Sequence, residues 1–473
     1  MTNIKELLKT SKYNKVKTIL ELAGRIGKSE KLEVYAVGGL VRDLLMDKDI
    51  DDIDIMIVGE GILFAKLLAK SLGVKNIVPF EKFGTALIPY NPIQIEVASA
   101  RKEIYENHSR NPAGVIYTDL SGDLIRRDFT INSMAIDIRP KKFGELYDPF
   151  GGVSDIKNKL IRTPLEPSET FSDDPLRIMR AAYFASKFNF CISEHCLDSM
   201  KEIAGRIKIV SWERIRDEFL KILSTKKPSV GLLILQKTNV LETIFPEIHV
   251  MYGMEQTAEW HHKDIFDHTL QVVDNAAQLS DKMELRFAAL VHDIAKPNTR
   301  RIHDEKGYTF HGHDVIGERM LNKVAQRLKL SNRLTDYLKK LTLLHLRPIA
   351  LAKSEVTDSA IRRLMIASGN YLDDLMILCR ADITTKNPNR VKRYLKNFQI
   401  VETKMANVIE PGSKYSAAEA VVSPRPDTRK NGNRKNELEP AVKDKNLDAD
   451  PNENGNDLNK PRGNIGFCAV FSL

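Results

Sequence analysis

Asp52 and Asp54 stand in the run DDIDIMIVG, alternating with Ile53, Ile55 and Ile57. On a strand, alternate side chains point to opposite faces, so the isoleucines share one face and both carboxylates the other. Two carboxylates aimed at one point are hard oxygen ligands of the kind Mg²⁺ prefers when it bridges a triphosphate and an attacking hydroxyl. Upstream, Gly38 and Gly39 end the apolar run VYAV and lead into VRDLLM, which reads as a helix start. Glycines permit close backbone approach, free N–H groups at a helix start suit a phosphate, and Arg42 can add charge-assisted hydrogen bonds. A polar strand face explains an isolated DxD, and a turn explains an isolated GG. A glycine turn at a helix start followed by a DxD strand is a combination suited to nucleotidyl transfer.

Two further clusters extend this chemistry. In RRDFTINSMAIDI, Arg126, Arg127, Asp128 and Asn132 could hold a nucleotide's phosphate, sugar hydroxyl and primer end, or could simply be the polar entrance to a strand whose Phe129, Ile131, Met134 and Ile136 are core. In FSDDPLR, Ser172 or Asp173 can cap a helix with Pro175 in its first turn, and Asp174 and Arg177 are spaced for an intrahelical ion pair. The same pair, an acceptor beside a donor, also complements a base edge that offers an amino donor beside a ring-nitrogen acceptor. Cytosine and adenine share that edge, whereas uracil and guanine present the reverse.

The segments GGLVRDLL, DDIDIMIVG, FGTALI, EVASARKEIY with SRNP, RRDFTINSMAI, DPFGG, DDPLRIMRAAYFA and ERIRDEFLKIL occur in this order over about residues 35 to 225. This collinear set resembles the class II tRNA nucleotidyltransferases, the bacterial-type CCA-adding enzymes, and their relatives the bacterial poly(A) polymerases. The resemblance implies an α+β chain: a polymerase-β-like nucleotidyltransferase head, then an all-helical neck and body. It assigns Asp52 and Asp54 to catalytic Mg²⁺ and Gly38, Gly39 and Arg42 to the triphosphate. Arg127, Asp128 and Asn132 fall to the nucleotide and primer region, and Asp174, Arg177 and Arg180 to the helix that selects the base. The implied reaction is attack of a tRNA 3′-hydroxyl on the α-phosphorus of CTP or ATP, with base choice made by side chains and no nucleic-acid template. FGTALI favours the CCA-adding form over the poly(A) form, and the polar stretch from Arg101 to Asp123 favours addition of all three nucleotides over CC alone.

A second group of residues has metal-ligand character. His268, His292, Asp293 and Asp382 follow the order H…HD…D of HD metal-dependent phosphohydrolases, each within a helical pattern. His313 and His345 could complete a second metal site, for Mn, Ni, Co or Mg. Buried structural histidines are the alternative, as is a phosphohydrolase with a vestigial head or a non-catalytic RNA-binding protein.

The elements that must position these groups follow from periodicity. A leading helix or helix pair over Asn3 to Lys28 precedes short apolar runs and a helical stretch from Gly61 to Leu72, which together describe a mixed head over residues 1–160. Strand patterns fade after Thr163, giving a helical neck over 161–251 and an HD body over 252–410, whose histidine-rich stretch begins at Trp260, His261 and His262. Residues 411–473 are rich in Pro, Asn and mixed charge, resemble nothing in the family, and are expected to be a disordered or aberrant tail.

Of the 473 residues, 42% are hydrophobic and 29% charged, proportions that exclude wholesale disorder, collagen and coiled coil. Four cysteines without a CxxC pair exclude a zinc-thiolate site. No apolar run is long enough for a membrane span, and the expected setting is the cytoplasm, as a monomer or homodimer. The net charge is +9. Residues 411–473 hold ten Lys or Arg and nine Asp or Glu, so +8 falls on 1–410, where a tRNA-binding surface would need it. Candidate phosphate contacts are Arg206, Lys208, Arg214, Arg216, Lys226 and Lys227, and a second basic stretch from Lys386 to Lys396.

Overall fold

The computed structural model describes residues 4–104, 114–255, 264–303, 307–351 and 357–409. Trp260, His261, His262, residues 105–113 of the polar stretch and the whole 411–473 tail lie outside the described residues. Met1–Met405 is one compact unit; of the second, Ala406–Leu473, only the end of the last helix is described.

The strands of the N-terminal part are β1 (Glu33–Val37), β2 (Asp52–Val58), β3 (Val78–Phe80), β4 (Thr85–Tyr90), β5 (Ile93–Ser99), β6 (Arg101–Ile104), β7 (Gly114–Tyr117), β8 (Ala135–Asp137) and β9 (Glu145–Tyr147). Seven form a mixed sheet in the order β3-β4-β5-β2-β1-β8-β9, while β6 and β7 pair separately. Within that sheet β2 and β5 run parallel and the other pairs antiparallel.

The alternation in β2 sorts its side chains as expected. Ile53, Ile55 and Ile57 are buried in one cluster with Leu20 and Ala23 of the helix Asn14–Ser29 and Phe64, Ala65 and Leu68 of the helix Gly61–Ser71. Each buried isoleucine contributes about 1.5–3 kcal/mol. Asp52 is exposed and Asp54 half-buried on the opposite face, where Met56 joins a smaller cluster with Tyr35, Val37 and Leu124. Burial of three isoleucines thus fixes the register that aims two carboxylates outward.

The leading segment is a pair, Ile4–Leu7 and Asn14–Ser29, with a 3₁₀ turn at Ser11–Tyr13 between them. Phe129, Ile131, Met134 and Ile136 are fully buried, although only Ala135–Asp137 is strand. Beyond Tyr147 the described structure is helical except for two short pairings absent from the sequence reading. Leu160–Ile161 runs parallel to Cys191–Ile192, and Arg301–His303 forms a hairpin with Gly307–Thr309. Two or three residues carry no legible period.

Neck and body are stapled together through polar groups. Arg286 is buried and donates to the carbonyls of Leu223, Thr225 and Ser280, joining the end of the helix Trp212–Leu223 to the turn before Met283–Val291. Ser229 donates to Asp274 through both backbone N–H and hydroxyl.

Candidate active sites

β1 passes through Gly38 into the helix Gly39–Leu45. Gly38 has φ +68° and ψ −127°, a conformation that L side chains avoid. A Cβ there would lie 2.7 Å from Nη1 of Arg127 and 3.4 Å from Oδ2 of Asp54; one on Gly39 would lie 3.8 Å from the same oxygen and 3.5 Å from Nη2 of Arg42. The glycines therefore leave room beside a buried carboxylate and two guanidinium groups. The adjoining cavity, about 520 Å³, is lined by Gly39, Arg42, Lys48, Asp52, Asp54 and Lys187 among others.

Burial pushes the Asp54 carboxyl up to about 6, with Arg127 and Arg42 opposing and Glu96 and Asp52 reinforcing the shift. Glu96 had no place in the sequence reading. It alternates with buried Ile95 and Val97 in β5, and the parallel β2–β5 register sets it directly beside Asp54. The alternation was visible in IQIEVAS; the register was not. Asp54, with Asp52 and Glu96 near enough to raise it, offers hard oxygen donors and excess negative charge, a chemistry that fits Mg²⁺.

Arg127 is held in place by Asp123, another residue the sequence reading passed over. Asp123 is fully buried; its Oδ2 accepts from Nε and Nη2 of Arg127 at 3.1 and 2.8 Å, and its Oδ1 from Arg126. Burial acts to raise this carboxyl, but Arg127 and Arg126 outweigh it and hold it below the usual range. Arg42, buried against the Phe184 and Phe188 rings, donates to Oδ1 of Asn132 at 2.6 Å and to Asp43. Asn132 in turn donates to Asp128 at 2.9 Å, and Arg180 donates to the other oxygen of Asp128 at 2.7 Å. Burial of Asp128 is likewise outweighed, chiefly by Arg180, leaving its carboxyl below the usual range.

Asp174 and Arg177 come near this network differently from the sequence expectation. The helix Pro167–Asp173 ends at Asp174, which is extended, and Leu176–Phe188 begins after Pro175. Neither Ser172 nor Asp173 caps the new helix, whose first residue is preceded by Pro175; Asp174, one residue earlier, accepts from the Leu176 N–H at 3.1 Å. Among the described residues no side-chain hydrogen bond or ion pair joins Asp174 to Arg177; the two meet only through the backbone, where the Arg177 N–H donates to the Asp174 carbonyl at 2.9 Å. Asp174 Oδ2 accepts from Arg214 at 2.9 Å, whereas Arg177 donates to the carbonyls of Arg126 and Thr170. Arg126 thereby links the helix Leu176–Phe188 to Asp123, which also holds Arg127.

Three basic residues taken from the sequence as phosphate contacts face protein groups: Arg206 donates to Ser172 O, Arg214 to Asp174, and Arg216 to Asp217 and Lys329 O. Lys208, Lys226 and Lys227 are exposed, as are Arg390, Lys392, Arg393 and Lys396 on the helix Pro388–Ile409.

The histidines converge as well. Two groups could each hold a metal ion, His268, His292 and Asp382, and Asp293, His313 and His345. Asp293 lies between them, with Oδ2 3.1 Å from His292 Nε2 and 3.6 Å from His268 Nε2, and Oδ1 3.2 Å from His313 Nε2 and 3.7 Å from His345 Nε2. In His292, His313 and His345 the Nδ1 atom faces a backbone carbonyl at 2.7–2.8 Å, so Nδ1 carries the proton and Nε2 a lone pair. His313 and His345 point these lone pairs at each other across 3.3 Å, and His292 Nε2 is buried without a hydrogen bond. Burial works against a charge on His292, yet Asp293 and Asp382 push it up to about 10, while burial pushes His345 down to about 4. Imidazole and carboxylate donors around a point that draws positive charge onto His292 fit bound cations. Lys296, whose Nζ is 2.5 Å from Asp293 Oδ2, was also missed from sequence.

Residues 34–162 match the poly A polymerase head domain, 189–251 the "probable RNA and SrmB- binding site of polymerase A", and 265–386 the HD domain. The multifunctional CCA protein of Vibrio campbellii is 33% identical over 370 residues, 74% of this chain and 85% of the relative. The chain belongs to the multifunctional CCA protein family. Its counterpart from Shewanella denitrificans is 34% identical over 64% of this chain and 72% of the relative. Among solved structures, a tRNA nucleotidyltransferase complexed with a primer tRNA and an incoming ATP analog is 26% identical with a TM-score of 0.58, over 80% of this chain and 99% of that one. A CCA-adding enzyme without ligand, at 24% identity, shares the fold with a TM-score of 0.64 over 89% and 91%.

Proposed function

We propose that this CCA-family protein adds C, C and A to the 3′ end of tRNA from CTP and ATP, without a nucleic-acid template. The observation that carries this reading is that Gly39, Arg42, Asp52 and Asp54 line one cavity, with Gly38 and Arg127 beside the Asp54 carboxylate and Glu96 paired with Asp54 across the strands. Asp52 and Asp54 would hold Mg²⁺. When bound, the ion supplies Lewis-acid charge to the attacking and leaving oxygens. The glycine turn admits the triphosphate close to the backbone, and Arg42 and Arg127 neutralise its charge. Asp128 and Asn132 orient the sugar and primer end, themselves fixed by Arg180 and Arg42. Asp174 accepts from the base amino group and Arg177 donates to the ring nitrogen. The tRNA 3′-oxygen forms its bond to the α-phosphorus as the bond to pyrophosphate breaks.

The test supplies purified protein, Mg²⁺ and labelled CTP and ATP to a tRNA ending at its discriminator base. Ordered addition of C, C and A is expected. Addition of CC alone, or tailing with A only, would move the protein to a CC-adding or poly(A)-type activity, and no incorporation overturns the reading. Asp54→Ala should abolish addition.

A second activity rests on a separate observation, two triads that meet at Asp293 and turn His292, His313 and His345 Nε2 toward it. We propose hydrolysis of phosphoesters at RNA ends, with His268, His292 and Asp382 holding one divalent ion and Asp293, His313 and His345 the other. Such ions supply Lewis-acid charge to a phosphoryl oxygen and an attacking water. Lys296 keeps Asp293 ionised and adds a cation beside it. Ring opening of 2′,3′-cyclic nucleotides and phosphate release from 3′-phosphate nucleotides, in Mn²⁺, Ni²⁺, Co²⁺ or Mg²⁺, are the measurements; both should vanish in Asp293→Ala and survive in Asp54→Ala.

A further inference from the structure

The two groups that read the base are three residues apart at the start of one helix, the spacing at which Asp and Arg close on each other. An Asp174–Arg177 pair would take both out of service, since each would satisfy the other instead of a nucleobase. The structure keeps them apart by giving each a separate partner. Arg177 is tied to the carbonyls of Arg126 and Thr170, and Asp174 Oδ2 to Arg214 at 2.9 Å. Arg214 lies on another helix, Trp212–Leu223, and its side chain is 42% exposed. One turn further along that helix, Glu218 is buried, with Oε1 4.0 Å from Nη1 of Arg180, the guanidinium that holds Asp128. A single helix face therefore supports both the base-reading carboxylate and the sugar-side network.

Resting on the proposed nucleotide addition, we infer that Arg214 is a positioning residue for nucleotide selection. It holds the Asp174 carboxylate away from the Arg177 guanidinium. An ionised carboxylate can only accept, so it takes the amino group of cytosine or adenine and repels the carbonyl of uracil or guanine at the same place. Each carboxylate oxygen has two lone-pair sites, so Oδ2 can accept from Arg214 and from the base together. Without Arg214, Asp174 is free to close on Arg177, and the distinction between the two classes of base weakens.

The experiment compares kcat/KM for CTP and UTP at the first added position on one tRNA, at a fixed tRNA concentration. Because both nucleotides are tested on the same tRNA, a change in tRNA affinity cancels in the ratio. Arg214→Ala should lower the CTP:UTP ratio at least about tenfold, by loss of a polar contact that sets discrimination. Arg214→Lys, which keeps the charge, should recover part of the ratio, and Lys237→Ala, which removes an exposed charge elsewhere in the neck, should leave it unchanged. An unchanged ratio in Arg214→Ala, or equal losses for CTP and UTP, overturns the inference. If Arg214→Ala does not fold, Arg214→Gln is read the same way. A wild-type protein that adds neither C nor A overturns the nucleotidyltransferase reading itself, a result distinct from an active wild type whose variant keeps its selectivity.

Discussion

Gly38 shows how little freedom the turn between β1 and the helix Gly39–Leu45 has. Alanine there would have to adopt φ +68° with ψ −127° and place its Cβ 2.7 Å from Arg127 Nη1, a guanidinium clamped by two bonds to Asp123. Gly38→Ala should cost about 1–3 kcal/mol of stability through backbone strain and, by displacing Arg127, roughly 10²-fold or more in kcat/KM for nucleotide addition. Thermal unfolding and steady-state kinetics measure the two effects separately. Asp54 gives a pH dependence. Its folded carboxyl, raised to about 6, binds a proton more readily than the unfolded chain does, so this group's contribution to metal-free stability falls as pH rises from about 4 to 6. Mg²⁺ requires the ionised form, so its affinity should rise about tenfold per pH unit up to 6 and level off above. Stabilisation by Mg²⁺ in a thermal shift should accordingly be larger at about pH 7.5 than at pH 5; equal shifts would mean that Asp54 is not a ligand.

Among the secondary-structure elements, what could be read from sequence was what periodicity encodes. The DxD strand was legible because Ile53, Ile55 and Ile57 alternate with the aspartates, and their burial decides the register. Asp293 was legible from its neighbour His292. Glu96 and Asp123 were not, because one depends on which strand pairs with β2 and the other on how the helix Leu120–Ile125 packs behind Arg127. Of the two readings of Asp174 and Arg177, the intrahelical ion pair is not formed, for a related reason: local spacing suggested a bond that a distant helix, through Arg214, redirects. These long-range dependences make strong predictions. Asp123→Ala strips two arginines of a buried partner and should destabilise the protein by roughly 3–5 kcal/mol, a loss seen in denaturant unfolding. The HD ligands come from several helices, with His268 in Ile265–Leu279, His313 opening His313–Arg327 and Asp293 between the two triads. Asp293→Asn should therefore remove bound divalent metal from both groups and His345→Ala from one only, as metal analysis of the purified proteins would show.

For the chain as a whole, charge separates residues 1–410 from the segment beyond them. Residues 1–410 carry +8 of the +9, and among the described residues exposed cations such as Lys226, Lys227, Arg390, Lys392, Arg393 and Lys396 belong to this part. A tRNA bound mainly through its phosphates displaces counterions in proportion to the cations that meet it, so log affinity falls linearly with log salt. The slope counts contacts, and a segment with a net of +1 can add little to it. A chain ending at residue 410 should therefore bind tRNA with the full-length salt slope to within about one unit between roughly 50 and 200 mM KCl. Substituting Arg390, Lys392 and Arg393 together by alanine should shallow that slope by about two to three units, with the affinity loss greatest at low salt. A slope that collapses on removal of 411–473 and ignores the triple substitution would place the tRNA contacts in the C-terminal segment instead. Because phosphate contacts carry no base information, none of these changes should alter the CTP:UTP ratio that Arg214 controls.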